Sequence, residues 1–155
     1  MQRAVLVTGY YGFGNTGDEA ILAALATGLR ARLPGARLLV TSGDPGATRQ
    51  QHGVEAVPWR DPLSLSEAVR SSDLVVIGGG GLFQDYAGVE AGTLLTPRHG
   101  GVVFYAAPAV LAAAARKPVA LHALGIGPLF SADARRIVGA VARAAVRVSV
   151  RDRPS

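Results

Sequence analysis

Residues 4–22 constrain this chain more tightly than any other stretch. Ala4-Val5-Leu6-Val7-Thr8 is a short apolar run rich in β-branched residues, the pattern of a buried strand. Ala20-Ile21-Leu22 then opens a helical period, with Leu25 and Leu29 on the face of Ile21 and Leu22. Between them lie Gly9, Gly12, Gly14 and Gly17, a density that permits positive φ and close approach of backbone to a ligand. Thr16 is the predicted N-cap. Asp18 and Glu19 fall in the first helical turn, where unpaired N–H groups and the positive dipole end favour negative charge. Strand, glycine loop and helix N-terminus in this order make either a binding site or a tight, well-capped turn, and the loop alone does not choose between them.

Gly12-Phe13-Gly14-Asn15-Thr16-Gly17 formally matches the dinucleotide fingerprint. The matching glycines, however, start three residues late, after Gly9-Tyr10-Tyr11, and Asp18 and Glu19 already neutralise the dipole that would hold a pyrophosphate. A polar acceptor, or an anion held mainly by cationic side chains, suits this loop better.

Strand and helix alternate through the rest of the chain, which predicts an α/β fold with a parallel sheet of about six strands and helices on both faces. Pro34-Gly35 stops the first helix, and Ala36 to Thr41 is a second strand. Asp44-Pro45 caps a short helix that runs to about His52 and ends at Gly53. His52 is read as a surface residue. Val54 to Val57 is a weak third strand, and Leu63 to Arg70 a short helix.

Leu74-Val75-Val76-Ile77 is a fully apolar strand suited to the middle of a parallel sheet. Gly78 to Gly81 follow it, and four glycines in a row cost conformational entropy, which favours a ligand-facing loop over a packing role. Such a loop would lie at the carboxyl edge of the sheet, where open α/β folds bind ligands. Gln84 and Asp85, just beyond, can hydrogen-bond a ligand's hydroxyls or cap the next segment. Ala87 to Gly101 reads as a surface excursion containing Arg98 and His99. Pro118 to His122 is a fifth strand. Ser131 caps a final helix whose apolar face is Ala134, Ile137 or Val138, Val141 and Ala145, with Arg136, Arg143 and Arg147 on another side. Val146 to Val150 is the sixth strand, and Ser155 reads as the N-cap of a helix beyond it.

At 155 residues and 49% hydrophobic, the chain can bury one substantial core and reads as a single domain. Without cysteine it has neither disulfide nor thiolate metal site, which fits a cytoplasmic protein. Its net charge of +5 is carried almost wholly by arginine, suited to bidentate contact with carboxylate or phosphate. The arginines are dispersed, without the basic run and interleaved aromatics of a nucleic-acid surface, and most are expected to face solvent. Met1-Gln2-Arg3 leads directly into a strand, with no signal-peptide pattern. Val102 to Ala115, the most apolar segment, is shorter than the ~20 residues of a spanning helix and contains Pro108.

The run GYYGFGNTGDEAIL closely resembles the N-terminal motif of polysaccharide pyruvyl transferases, in particular the CsaB type that modifies bacterial cell-wall polysaccharide. GGGGLFQD is similar to the family's second glycine motif, Gly125-Ile126-Gly127-Pro128 to its GIGP turn, and Arg151-Asp152-Arg153-Pro154-Ser155 to its RDxxS motif. Leu124 stands where relatives commonly carry glutamine, so any contact made by that amide is missing here.

The resemblance implies the N-terminal Rossmann-like domain of a two-domain, GT-B-like enzyme, with its own C-terminal domain as partner outside this chain. It implies transfer of the pyruvyl group of phosphoenolpyruvate to two hydroxyls of one sugar, forming a cyclic ketal and releasing phosphate, with no cofactor and no metal. The implied acceptor is a saccharide on a lipid carrier, which brings peripheral contact with the inner face of the membrane and a place in S-layer anchoring. On the matched motifs, Asp18 is the candidate catalytic group, accepting a proton from an attacking hydroxyl, with dipole stabilisation as its competing role. Asn15, Thr16, Gly17, Glu19, Gly79, Gly80, Gly81, Gln84, Asp85, Arg151 and Asp152 are the candidate substrate contacts, with Thr16 and the loop amides donating to the donor. Arg151 is the best cation for the donor, and its competing role is an ion pair with Asp152. The general acid is expected on the other domain, so the isolated chain is expected to fold without activity. A nucleotide-sugar glycosyltransferase domain and a non-catalytic dinucleotide-binding module remain as alternatives.

Overall fold

A computed structural model of the chain describes residues 2–86, 88–98, 101–153 and 155. Among these residues six strands and five α-helices alternate: β1 (Ala4–Thr8), α1 (Thr16–Arg32), β2 (Arg37–Ser42), α2 (Pro45–His52), β3 (Glu55–Pro58), α3 (Pro62–Ser71), β4 (Leu74–Phe83), α4 (Val102–Ala114), β5 (Val119–Ile126), α5 (Ala132–Ala144) and β6 (Arg147–Val150). All five strand pairings are parallel, in the order β3-β2-β1-β4-β5-β6. The chain therefore winds one way from β1 to β3 and the other way from β4 to β6. The reversal lies between β1 and β4, the point where such sheets open a crevice at their carboxyl ends.

Strand alternation divides the core into two layers. Leu6, Leu39, Val75, Ile77 and Leu121 face a layer built with α3, α4 and α5, around Leu65, Ala106, Ala112 and Val138. Val5, Val7, Val40 and Val76 face the opposite layer, against Leu22 and Ala26 of α1. β1 is buried along its whole length, as expected of a strand covered on both faces.

Local rules account for most element ends. Asp44 caps α2 by accepting from Ala47 N at 2.9 Å, with Pro45 opening the helix, and Gly53 closes it in the left-handed region. Ser131 caps α5 as expected, accepting from Ala134 N at 3.1 Å. Ala134, Val138 and Val141 make the buried face of α5, with Ile137 and Ala145 partly buried beside it. α4 continues through Pro108, with Val102, Val103, Ala109 and Ala112 among its buried residues and Val110 exposed. No helix among the described residues is long and apolar enough to cross a membrane.

Three expectations are corrected. The N-cap of α1 is Asn15, not Thr16: its Oδ1 accepts from Gly17 N at 3.0 Å and Asp18 N at 3.3 Å from an extended backbone. Gly78 to Gly81 form no loop. β4 runs through them, pairing Gly78 with His122, Gly80 with Leu124 and Gly81 with Gly125. The reason is the close seating of α1. A Cβ at Gly79 would stand 2.1 Å from Ile21 Cγ2, and one at Gly80 2.7 Å from Asp18 Oδ1. The third correction is β5, which extends past His122 to Ile126 and takes in the first half of the GIGP segment.

Candidate functional site

A cleft of about 450 Å³ opens at the carboxyl edge of the sheet where the winding reverses. Tyr10 and Asn15 enter it from the β1–α1 connection and Asp18 from the first turn of α1; Gly81 and Leu82 enter from the end of β4, and Gln84 from just past it. Tyr86, Gly88 and Glu90 line it from the segment that follows, and Gly101 and Tyr105 from the start of α4. Both glycine motifs therefore meet at one site, as the strand-end argument predicts.

Asp18 is one of the two carboxylates that line the cleft. Its carboxyl is raised above the ordinary aspartate range, first by burial and then by the adjacent negative charge of Glu19. A carboxylate held above its solution value is better matched to taking a proton from a hydroxyl. The Tyr105 phenol is pushed up strongly, chiefly by burial, then by Tyr10 and Asp18. Tyr10 stacks on Phe13, with centroids 4.3 Å apart and planes 12° apart, and meets the edge of Trp59 at 5.7 Å. The root of the loop is tied down: Trp59 Nε1 donates to the Gly9 carbonyl at 2.9 Å, and the buried Tyr11 hydroxyl donates to the Gly78 carbonyl.

The predicted contacts divide into those that face the cleft and those that do not. Asn15, Asp18, Gly81 and Gln84 line it. Gly79 and Gly80 are buried beneath α1, which fits the packing role rather than the ligand-facing one. Thr16 and Glu19 line a separate depression on the α2 side, with Gly14 and His52. Gly17 is exposed outside the cleft, and its N–H is already taken by Asn15. Asp85 is buried, and its carboxylate accepts from Phe130 N at 2.7 Å, Ser131 N at 2.8 Å and Ser131 Oγ at 2.7 Å. These bonds, led by the Ser131 hydroxyl, hold its pKa below the usual range. Of the two roles open to Asp85, capping is the one the bonds display: it fastens the end of β4 to the start of α5.

Arg151 follows β6 and donates its N–H to the Leu124 carbonyl at 2.9 Å. Its Nε donates to Asp152 Oδ2 at 3.0 Å, and Asp152 Oδ1 accepts from Ser155 Oγ at 2.5 Å. These two bonds, with Ser155 first, hold the Asp152 carboxyl low. The guanidinium carbon of Arg151 and the Gly81 Cα lie 3.1 and 3.2 Å from the point where a Gly125 Cβ would sit. The Arg151–Asp152 pair thus borders Gly81, a residue of the cleft wall. Leu124, in place of the expected glutamine, is fully buried in the core. Among the described residues no three His, Asp or Glu side chains gather in a metal-ligating arrangement. His99 lies outside the described residues.

Sequence reasoning missed Tyr10, Tyr86, Glu90 and Tyr105 as cleft residues. The available signal was position, since Tyr10 sits inside the first glycine motif and Tyr86 directly after the second. It also misplaced His52, whose side chain is 4% exposed and bonded to Glu19.

Comparison with curated proteins returns no match. The family model described as polysaccharide pyruvyl transferase matches residues 15–155. The chain belongs to the polysaccharide pyruvyl transferase family.

Proposed function

We propose that this family member binds the saccharide acceptor in its cleft and serves an enzyme that moves the pyruvyl group of phosphoenolpyruvate onto two hydroxyls of one sugar. The observation that carries the reading is the cleft's chemistry. Among the described residues it presents two carboxylates, two carboxamides and three tyrosines, and no arginine or lysine. Such a wall suits a neutral, hydroxyl-rich ligand, which offers donors to Asp18 and Glu90, pairs with Asn15 and Gln84, and lays ring faces on aromatic rings. It suits a trianionic donor poorly, because the Asp18 carboxylate would repel it, whereas Glu90 is paired with Arg98 at 3.5 Å.

The donor is then approached from the margin, where Arg151 borders Gly81. Asp18 accepts the proton of the attacking hydroxyl as it adds to the carbon that carries the phosphate. A second hydroxyl of the same sugar adds to that carbon as phosphate leaves, and a cyclic ketal results. The diol gives up two protons in all, one for the methylene that becomes methyl and one for phosphate. The acid that protonates the methylene, and further cations for the donor, belong to the partner domain of a GT-B-like pair. A lipid-linked acceptor, peripheral contact with the membrane and a CsaB-type substrate are the finer parts of this proposal.

Titration of the chain with a saccharide diol and, separately, with phosphoenolpyruvate tests the division of labour. Saccharide should perturb Asp18, Tyr10 and Gln84 resonances, whereas phosphoenolpyruvate should perturb those around Arg151. Phosphoenolpyruvate displacing the saccharide from the cleft would refute the assignment. In the enzyme, Asp18→Asn should lower kcat by about 10²–10⁴, the usual contribution of a positioned acid or base. Removing a carboxylate whose ionised form is disfavoured by burial should leave the melting temperature unchanged or higher.

A further inference from the structure

His52 is a buried ionisable side chain that the proposed chemistry does not use. It ends α2, and its Nε2 lies 2.8 Å from Glu19 Oε2, with the two side chains only 4% and 12% exposed. The other oxygen, Glu19 Oε1, accepts the Gly12 N–H at 2.7 Å. One carboxylate thus has one oxygen on the glycine loop and the other on α2. The end of α2 is itself held, because Arg30 Nη2 of α1 donates to the carbonyls of His52 and Gly53 at 2.8 and 2.9 Å.

Gly12 is the tightest point of the loop. Its φ is +77°, and a Cβ there would stand 2.0 Å from Ser42 Oγ. Its N–H is reached by a side chain seven residues on, in the first turn of the helix that the loop feeds. That same turn carries Asp18 into the cleft, and Asn15 caps it. A Glu19 carboxylate bonded at one oxygen only could rotate and release the Gly12 N–H. The imidazole on the second oxygen removes that freedom, at a cost in side-chain entropy already met by its own burial in the fold.

We propose that His52 is a positioning residue for the acceptor site: by holding Glu19 it fixes the glycine loop, and with it the placement of Tyr10, Asn15 and Asp18. It touches no substrate. This inference rests on the assignment of the cleft to the saccharide.

Amide hydrogen exchange at Gly12, measured on the chain itself, and acceptor and donor KM, measured on the enzyme, together test it. His52→Ala should lower Gly12 protection roughly tenfold, the weight of one charge-assisted bond. Acceptor KM should rise by a similar factor while donor KM holds, and His52→Gln, whose amide can reach the same oxygen, should recover most of both. Unchanged Gly12 protection in folded His52→Ala would overturn the proposal. So would an equal loss of protection across all amides, or a rise of both KM values together. If His52→Ala does not fold, His52→Phe fills the same buried space without a bond to Glu19, and the same readings decide. Should no saccharide bind the unaltered protein, the acceptor assignment fails, while the Gly12 amide still reports whether His52 holds the loop.

Discussion

Replacing Gly79 by alanine separates a packing glycine from a ligand-facing one. The residue has a φ of +70°, and an added Cβ would stand 2.1 Å from Ile21 Cγ2, well inside any real carbon–carbon contact. The left-handed backbone costs an alanine about 1–2 kcal/mol. Forcing α1 or Ile21 aside adds about 1–3 kcal/mol of overpacking. The sum, about 2–5 kcal/mol, corresponds to a fall in melting temperature of roughly 5–20 °C for a chain of this size. Thermal unfolding followed by circular dichroism measures it. Adding Ile21→Ala removes the Cγ2 atom and should return the overpacking part, leaving the backbone part. The double-mutant cycle should therefore show a coupling of about 1–3 kcal/mol. If Gly79→Ala unfolds within about 0.5 kcal/mol of the unaltered protein but loses saccharide affinity, α1 does not pack on β4 as described and the glycine serves a ligand.

In the enzyme, Arg151→Ala should weaken phosphoenolpyruvate binding about ten- to a hundredfold, the range of a charge-assisted bond to an anion, and lysine should restore only part. Arg136→Ala, exposed and paired with Asp133, is the control and should do little. A lower melting temperature with unchanged donor affinity would make Arg151 a structural partner of Asp152 alone. Thr8 and Thr41 bury hydroxyls that have no hydrogen-bond partner among the described residues, beside Trp59 and α4. Thr8→Val and Thr41→Val should therefore each stabilise by about 1 kcal/mol in urea titration, and destabilisation by either would reveal a bonded water there. The Asp85 pKa is lower folded than unfolded, so its bonds to Phe130 and Ser131 stabilise above the ordinary aspartate pKa and are lost as pH falls through the lowered value. Asp85→Asn should flatten the acid side of the stability–pH curve, and an unchanged slope would count against that linkage.

Much of the fold was legible where its signals are local. A β-branched run, a glycine loop and a 3.6-residue period mark β1, the turn and α1, and Asp44-Pro45 and Ser131 mark two helix starts. The errors lie where distant residues decide. Gly78 to Gly81 carry no strand propensity, yet β5 supplies their pairing and α1 requires their missing side chains. His52 looks like a surface histidine until Glu19, 33 residues earlier, comes within bonding distance. Asp85 lies beside a glycine motif, but its partners are 45 and 46 residues later. Tyr10 was hidden for another reason: an aromatic residue in a glycine loop reads equally well as core, and only the winding of the sheet shows which way it faces.

Trp59 is the chain's single tryptophan. Its indole N–H holds the Gly9 carbonyl, its ring meets Phe13 at 4.8 Å and Phe104 at 4.4 Å, and the Arg60 guanidinium lies 5.4 Å from its centre. Any rearrangement of the glycine loop must therefore alter the polarity and quenching around one chromophore. Selective excitation of that indole gives an emission signal free of overlap from any second site, with no label attached. The chain carries its own optical gauge of the loop, readable in stopped flow on the timescale at which a ligand enters.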